Sequence, residues 1–236
     1  MNLVLPAGTT VPRPGSFHGG VRGRVAVGGN PCWSTAMPPR MVLLRHGATE
    51  WSVSGQHTGR TDLPLLAEGR RDAERAGELL RRHGLSDFGQ VLTSPLRRAS
   101  DTCALAGFEG DPDPDLMEWD YGAYEGATTD EIQESQPGWT LWDDGVPEGE
   151  QIADVARRAD RVIERARGCE TGDTLCVAHG HFLRVLGARW LGMPPICGRL
   201  LLLGPGAVCV LGWERGWPAI EAWNMAPGER AGVPEP

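Results

Sequence analysis

The chain contains no lysine: all 23 of its basic residues are arginine. Without a side-chain amine, Schiff-base catalysis and the lysine-bearing phosphate loops of nucleotide-binding proteins are excluded. We read the exclusive use of arginine as genome composition rather than function. No two of the six cysteines (Cys32, Cys103, Cys169, Cys176, Cys197 and Cys209) have C-x-x-C spacing. A chain of this size does not need disulfide staples, so we read them as free thiols of a reducing cytoplasm. No apolar run approaches the roughly 18–20 residues of a membrane span. The start of the chain also lacks the charged and apolar regions of a secretory signal. The formal net charge is −8, so no global basic field draws in nucleic acid or an anionic membrane, and neither is expected as a partner. An anionic substrate would have to be held by a local cluster of cations.

With 40% hydrophobic and 23% charged residues, the 236-residue chain has an ordinary globular composition. Residues 1–40 stand apart: rich in Gly and Pro, with Arg13, Arg22, Arg24 and Arg40, no acidic residue and no periodicity. They are expected to be a disordered or weakly ordered extension. Residues 41–225 form the body and 226–236 a short C-terminal tail. In the body, Met41–His46, Gln90–Thr93 and Thr174–Ala178 read as short strands. Ala73, Ala76, Leu79 and Leu80 mark a helix over Arg70–His83. Further helices are expected from Ser94 to about Ala106, over Thr128–Gln136, from Ile152, and from about Phe182 to Leu191. Asp111–Asp115, with alternating prolines, is expected to be irregular. Ala207–Gly212 and Pro218–Trp223 read as closing strands. This alternation implies one α/β domain, a three-layer α/β/α sandwich with a mainly parallel central sheet.

Chemistry gathers where the strands end. Val42-Leu43-Leu44 runs into Arg45-His46-Gly47; the second strand leads to Ser94 and the pair Arg97 and Arg98; the third runs into His179-Gly180-His181. Ends of parallel strands point the same way, so these groups can converge on one cleft. Two arginines neutralise a phosphate, and a neutral imidazole beside them can attack phosphorus. Such a reaction needs an acid for the leaving oxygen. The segment from Leu116 to Gly126 offers Glu118, Asp120 and Glu125, flanked by aromatics.

These blocks, taken in order, resemble the histidine phosphatase superfamily, which includes the cofactor-dependent phosphoglycerate mutases. They are Leu44-Arg45-His46-Gly47 with Thr49-Glu50, then Thr93-Ser94-Pro95-Leu96-Arg97-Arg98-Ala99, then Glu118…Gly122…Glu125-Gly126, and then Ala178-His179-Gly180. The resemblance implies a phosphoglycerate mutase-like fold from about Met41 to Trp223. It implies His46 as a nucleophile forming a phosphohistidine, with Arg45, Arg98 and His179 as the phosphate pocket and Glu118 as proton donor. Arg98 rather than Arg97 matches, being the arginine before Ala99; His179 rather than His181 matches, being the histidine before glycine.

Many members carry Asn where this chain has Ser52, whose hydroxyl would then help hold the phosphate. Residues 50–62, with Glu118–Gly126, Leu141–Gly145 and Ala178–His181, look similar to the sedoheptulose-bisphosphatase branch, which implies substrate contacts by Thr58 and Gly59. His181 would face substrate or support the site. The expected function is hydrolysis of phosphomonoesters, on sugar phosphates or other small phosphorylated metabolites, with no cofactor and no metal. A mutase is the runner-up. It is disfavoured because only some twenty-five residues separate Gly126 from Ile152, fewer than mutases use to close the site.

Two other classes of function are compatible with parts of this set. His46, His179, His181 and Glu118 could hold a divalent metal, but Arg45 and Arg98 would repel it and no H-E-x-x-H pattern is present. A non-catalytic phospho-ligand module has no need of both a nucleophile and an acid. His57 and His83 read as surface residues, Asp143 and Asp144 as a solvated turn, and most of the nine Trp as core or pocket wall. Oligomeric state is not legible.

Overall fold

In the computed structural model, which describes residues 38–227, the run Met41–Arg45 is strand β1, and its four apolar residues are fully buried. An unbroken apolar run is what a strand covered on both faces requires. Met41 and Leu43 pack into one core and Val42 and Leu44 into another. Each fully buried Leu or Val contributes about 1.5–3 kcal/mol relative to exposure.

Helix α1 (Glu50–Ser54) and helix α2 (Ala67–Arg82) follow. Then come strand β2 (Gln90–Thr93), helix α3 (Arg97–Leu105) and strand β3 (Asp111–Pro112). The next elements are helix α4 (Thr129–Ser135), helix α5 (Leu141–Asp144) and helix α6 (Ile152–Arg167). Strand β4 (Thr174–Ala178), helix α7 (Gly180–Trp190) and strands β5 (Val208–Glu214) and β6 (Trp217–Met225) complete the order. The sheet runs β3-β2-β4-β1-β5-β6. Its first four strands are parallel, β5 runs antiparallel to β1, and β6 runs antiparallel to β5. Residues of α6 and α7 share a core with Met41 and Leu43, and residues of α2 and α3 share the other with Val42 and Leu44. The three layers and the mainly parallel sheet are as expected.

The register positions the chemistry. Arg45 lies opposite Ala178 across the β1–β4 pair, and Thr93 opposite Val177 across β2–β4. His46, Ser94 and His179 are therefore each the first residue beyond a strand, on the same edge of the sheet.

Two expectations for the fold are corrected. Asp111–Pro112 is not irregular: it pairs in parallel with β2 at the sheet edge, and Asp113 N–H continues the ladder to Thr93 O at 2.8 Å. A proline is tolerated there because an outermost strand has one unpaired side. The loop after β1 contains α1, capped by Thr49, whose side chain accepts from Ser52 N–H while the Ser52 hydroxyl accepts from Thr49 N–H.

The expectations for the N-terminal extension and the C-terminal tail fall almost wholly outside the described residues. Pro39 and Arg40, however, are tied down. Trp213 Nε1–H donates to Pro39 O at 3.0 Å, and Arg40 makes a two-pronged pair with Asp173. Among the described residues, no helix is long and apolar enough to cross a membrane.

Candidate active site

His46 N–H donates to Ala178 O at 2.9 Å, extending the β1–β4 ladder by one residue. Its Nδ1 lies 2.8 Å from Gly47 O. A carbonyl oxygen only accepts, so Nδ1 carries the proton and Nε2 keeps a free lone pair. Gly47 is required by close approach: a Cβ there would sit 2.1 Å from Gly69 O. Burial first, then the charges of Arg45 and Arg98, hold the His46 pKa well below the ordinary imidazole value. The ring is neutral and stands edge-on to His179, with centroids 5.1 Å apart.

Arg98 is fully buried. Its Nη1 donates to Thr61 O (2.8 Å), its Nη2 to Thr58 O (3.1 Å) and Gly59 O (2.9 Å), and its Nε to His179 Nδ1 (3.2 Å). These bonds use four of its five N–H groups and leave one on Nη1. Because a guanidinium only donates, His179 Nδ1 accepts, and Nε2–H donates to Ser94 Oγ at 2.8 Å. His179 is likewise held neutral, by burial and then by Arg98. Arg45 Nη1 donates to Leu203 O at 2.5 Å, while its Nε is buried without a hydrogen-bond partner. Arg97 is exposed and pairs with Asp101. The structure therefore brings Arg45, His46, Arg98 and His179 together and leaves Arg97 out.

Of the three candidate acids, Glu118 is the one at the cleft. Its Oε1 accepts from Trp119 N–H (2.9 Å) and Phe182 N–H (2.8 Å), and its Oε2 from His181 N–H (3.0 Å). Two of these donors belong to the first turn of α7, where unpaired amides and the helix dipole favour an acidic group. The other two carboxylates are employed elsewhere. Asp120 pairs with Arg60, and Glu125 accepts from the amides of Gly59 and Thr61.

Arg45, His46 and Glu118 open into a cavity of about 420 Å³, whose walls include Trp51, Ser52, His57, Thr58, Tyr121, Trp139, Trp142, His181 and Arg184. The model of the histidine phosphatase superfamily (branch 1) matches residues 41–226. The chain belongs to the histidine phosphatase superfamily. An acid phosphatase of Mycobacterium tuberculosis is 43% identical over 179 residues, covering 75% of this chain and 88% of that protein. A sedoheptulose 1,7-bisphosphatase of Saccharomyces cerevisiae is 35% identical over 188 residues, covering 67% and 69%. The solved structure of an open-reading-frame product of Mycobacterium tuberculosis superposes with a TM-score of 0.78 at 40% identity, covering 80% of this chain and 99% of that one.

The residues expected to meet substrate in this histidine phosphatase fall out unevenly. Ser52 lines the cavity, but its O–H is donated to Thr49 O at 2.9 Å, so it offers a ligand no free proton. Thr58 and His181 line it as well. Gly59 does not: its N–H goes to Glu125 and its C=O to Arg98. A Cβ on Gly59 would lie 2.7 Å from both Glu125 Oε2 and Trp119 O, so the glycine serves the close packing that supports Arg98.

His57 is a correction. It is 8% exposed, with its ring 4.8 Å from Tyr121 and 5.6 Å from Trp139. His83, Asp143 and Asp144 are at the surface as expected. Tyr121 and Arg184 also reach the cavity, though no motif marks them, and Ser94, just beyond the end of β2, has a supporting place. Ser94 orients His179, and Tyr121 shares a 2.6 Å hydrogen bond with His181 Nδ1. The Arg184 guanidinium stacks 4.8 Å above Trp142. For Ser94 the signal is its place directly after a strand; for Arg184 it is its position about one helical turn beyond His181.

Proposed function

We propose that this enzyme hydrolyses sugar phosphates in two steps through a phosphohistidine on His46, without a metal ion. The observation that carries the reading is the tautomer of His46: Nδ1–H is committed to Gly47 O, which leaves Nε2 as the nucleophile. In the first step the Nε2 lone pair forms a bond to phosphorus and the ester P–O bond breaks. The departing oxygen takes its electron pair together with a proton from Glu118. Oε2 accepts one N–H bond and Oε1 two, so Oε2 has room to carry that proton. In the second step Glu118 takes a proton from water, the water oxygen bonds to phosphorus, and the P–N bond breaks to regenerate His46. Arg45 and the unspent Nη1–H of Arg98 offset the charge of the phosphoryl oxygens, while His179, neutral and bonded to Ser94, holds Arg98 in place.

The mixed aromatic and polar walls support a sugar as leaving group, since a carbohydrate presents both C–H faces and hydroxyls. The five described cysteines are unpaired, in keeping with a reducing compartment, and we place the enzyme in the cytoplasm. The test is a panel of sugar phosphates, phosphoglycerates and nucleotides assayed with and without excess chelator, with quenching to trap acid-labile phosphate on His46. The expected result is chelator-insensitive release from sugar phosphates and a label confined to His46. A label elsewhere, or activity lost to chelator, overturns the mechanism.

A further inference from the structure

Glu118 is held by its carboxylate on one side and by its backbone on the other, and the second hold comes from an ion pair outside the cleft. Arg158, on α6, spends all five of its N–H groups. Nε donates to Glu150 Oε1 (2.8 Å), Nη2 to Glu150 Oε2 (2.7 Å) and Glu118 O (3.4 Å), and Nη1 to Asp115 O (2.7 Å) and Met117 O (2.8 Å). The pair is largely buried, with side-chain exposures of 12% and 17%. Glu150 completes the hold: its Oε2 accepts from Asp120 N–H, its N–H donates to Asp120 O, and its C=O accepts from Trp119 Nε1. Residues 115, 117, 118, 119 and 120 are thus all tied to Arg158 or Glu150. The Arg158 guanidinium also lies 4.9 Å above the ring of Phe182, whose N–H holds the Glu118 carboxylate.

Only a planar fork of five donors meets this set of acceptors; an ammonium, with three, does not. The bonds from the pair to residues 115–120 fall on backbone atoms and on Trp119 Nε1, so they fix the place of the segment that carries Glu118.

We propose that Arg158, braced by Glu150, is a positioning residue that sets the place of the Glu118 carboxyl against the leaving oxygen. The inference rests on Glu118 being the acid. Proton donation matters when the leaving group is a sugar alkoxide and little when it is an activated phenolate.

Arg158→Lys should therefore lower kcat on a sugar phosphate by about tenfold, the scale of a slightly misplaced catalytic group. It should leave kcat on 4-nitrophenyl phosphate and inhibition by inorganic phosphate within about twofold. Placed in the Glu118→Gln background, it should cost nothing further on the sugar phosphate, because the group it positions is gone. If Arg158→Lys does not fold, as judged by its melting transition, Glu150→Gln carries the same comparisons. Equal losses on both esters, or an additive loss with Glu118→Gln, overturn the positioning role while the acid assignment stands. Equal losses on both esters in Glu118→Gln itself overturn the acid assignment, and the positioning role with it.

Discussion

At one end of the cleft, His46, Ser94 and His179 each stand one residue beyond a parallel strand, and Arg45 and Arg98 are fixed by backbone carbonyls. At the other end, Trp51 comes from α1, while His57, Tyr121, Trp139, Trp142 and His181 come from loops, α5 and α7 and pack ring against ring. The first end is set by sheet register and backbone hydrogen bonds, which leave little room to adjust. The second is a packed wall whose members can change shape without moving the strands. Preorganised charge belongs in the first kind of structure and selectivity among leaving groups in the second.

Substitutions can break or sharpen that contrast. The largest effect is expected for His46→Ala: turnover of every phosphomonoester should fall by at least about 10³-fold, with circular dichroism unchanged. Residual turnover within tenfold of the parent would remove His46 from the reaction. Glu118→Gln should come next, losing on the order of 10²-fold on sugar phosphates and far less on 4-nitrophenyl phosphate, as read from the ratio of the two kcat values.

Gly59→Ala probes the phosphate end from behind. The added methyl meets Glu125 and the backbone of Trp119 and displaces the carbonyls that hold Arg98, so kcat/KM should drop about tenfold on all esters alike. A loss confined to sugar phosphates would place Gly59 at the other end after all. Trp142→Ala should act the opposite way, raising KM for sugar phosphates by about three- to tenfold while leaving kcat on the aryl ester intact.

The smallest change is a pH effect that should fail to appear. An imidazole titrating near 6.5 loses about threefold of its neutral form between pH 7 and pH 6. The His46 pKa lies well below that value, so the ring stays neutral across the interval. In Glu118→Gln, where no general acid titrates, and after correction for ionisation of the substrate phosphate, kcat/KM on the aryl ester should vary by less than about 1.5-fold. A threefold acid limb centred near 6.5 would show a solvated nucleophile instead.

The same contrast explains what was legible in the sequence. β1, β2 and β4 were readable because a buried parallel strand is a short apolar run with a polar residue where it leaves the sheet, and the site residues at their ends came with them. Glu118 had two acidic neighbours, and only the fold shows that Asp120 and Glu125 are spent on Arg60 and on the amides of residues 59 and 61. His57 was misread because nothing near it in sequence is apolar enough to announce burial. Its partners Tyr121 and Trp139 lie more than sixty residues on. Gly59 was misassigned for a related reason, since a glycine that packs closely and a glycine that binds a ligand leave the same letter in the chain.

The alignment of Arg45 with Ala178 across β1 and β4 has a consequence for how this enzyme tolerates change in its length. Exchanging one buried side chain in β4 for another of similar volume leaves His179 where it is. Deleting a single residue between Thr174 and Ala178 would retract the chain by about 3.3 Å and turn His179 toward the opposite face of the sheet. An insertion among residues 127–144, ahead of Glu150, instead reshapes the far wall. Descendants of this sequence can lengthen or shorten that wall and acquire new substrates, whereas the strand carrying His179 must keep its count.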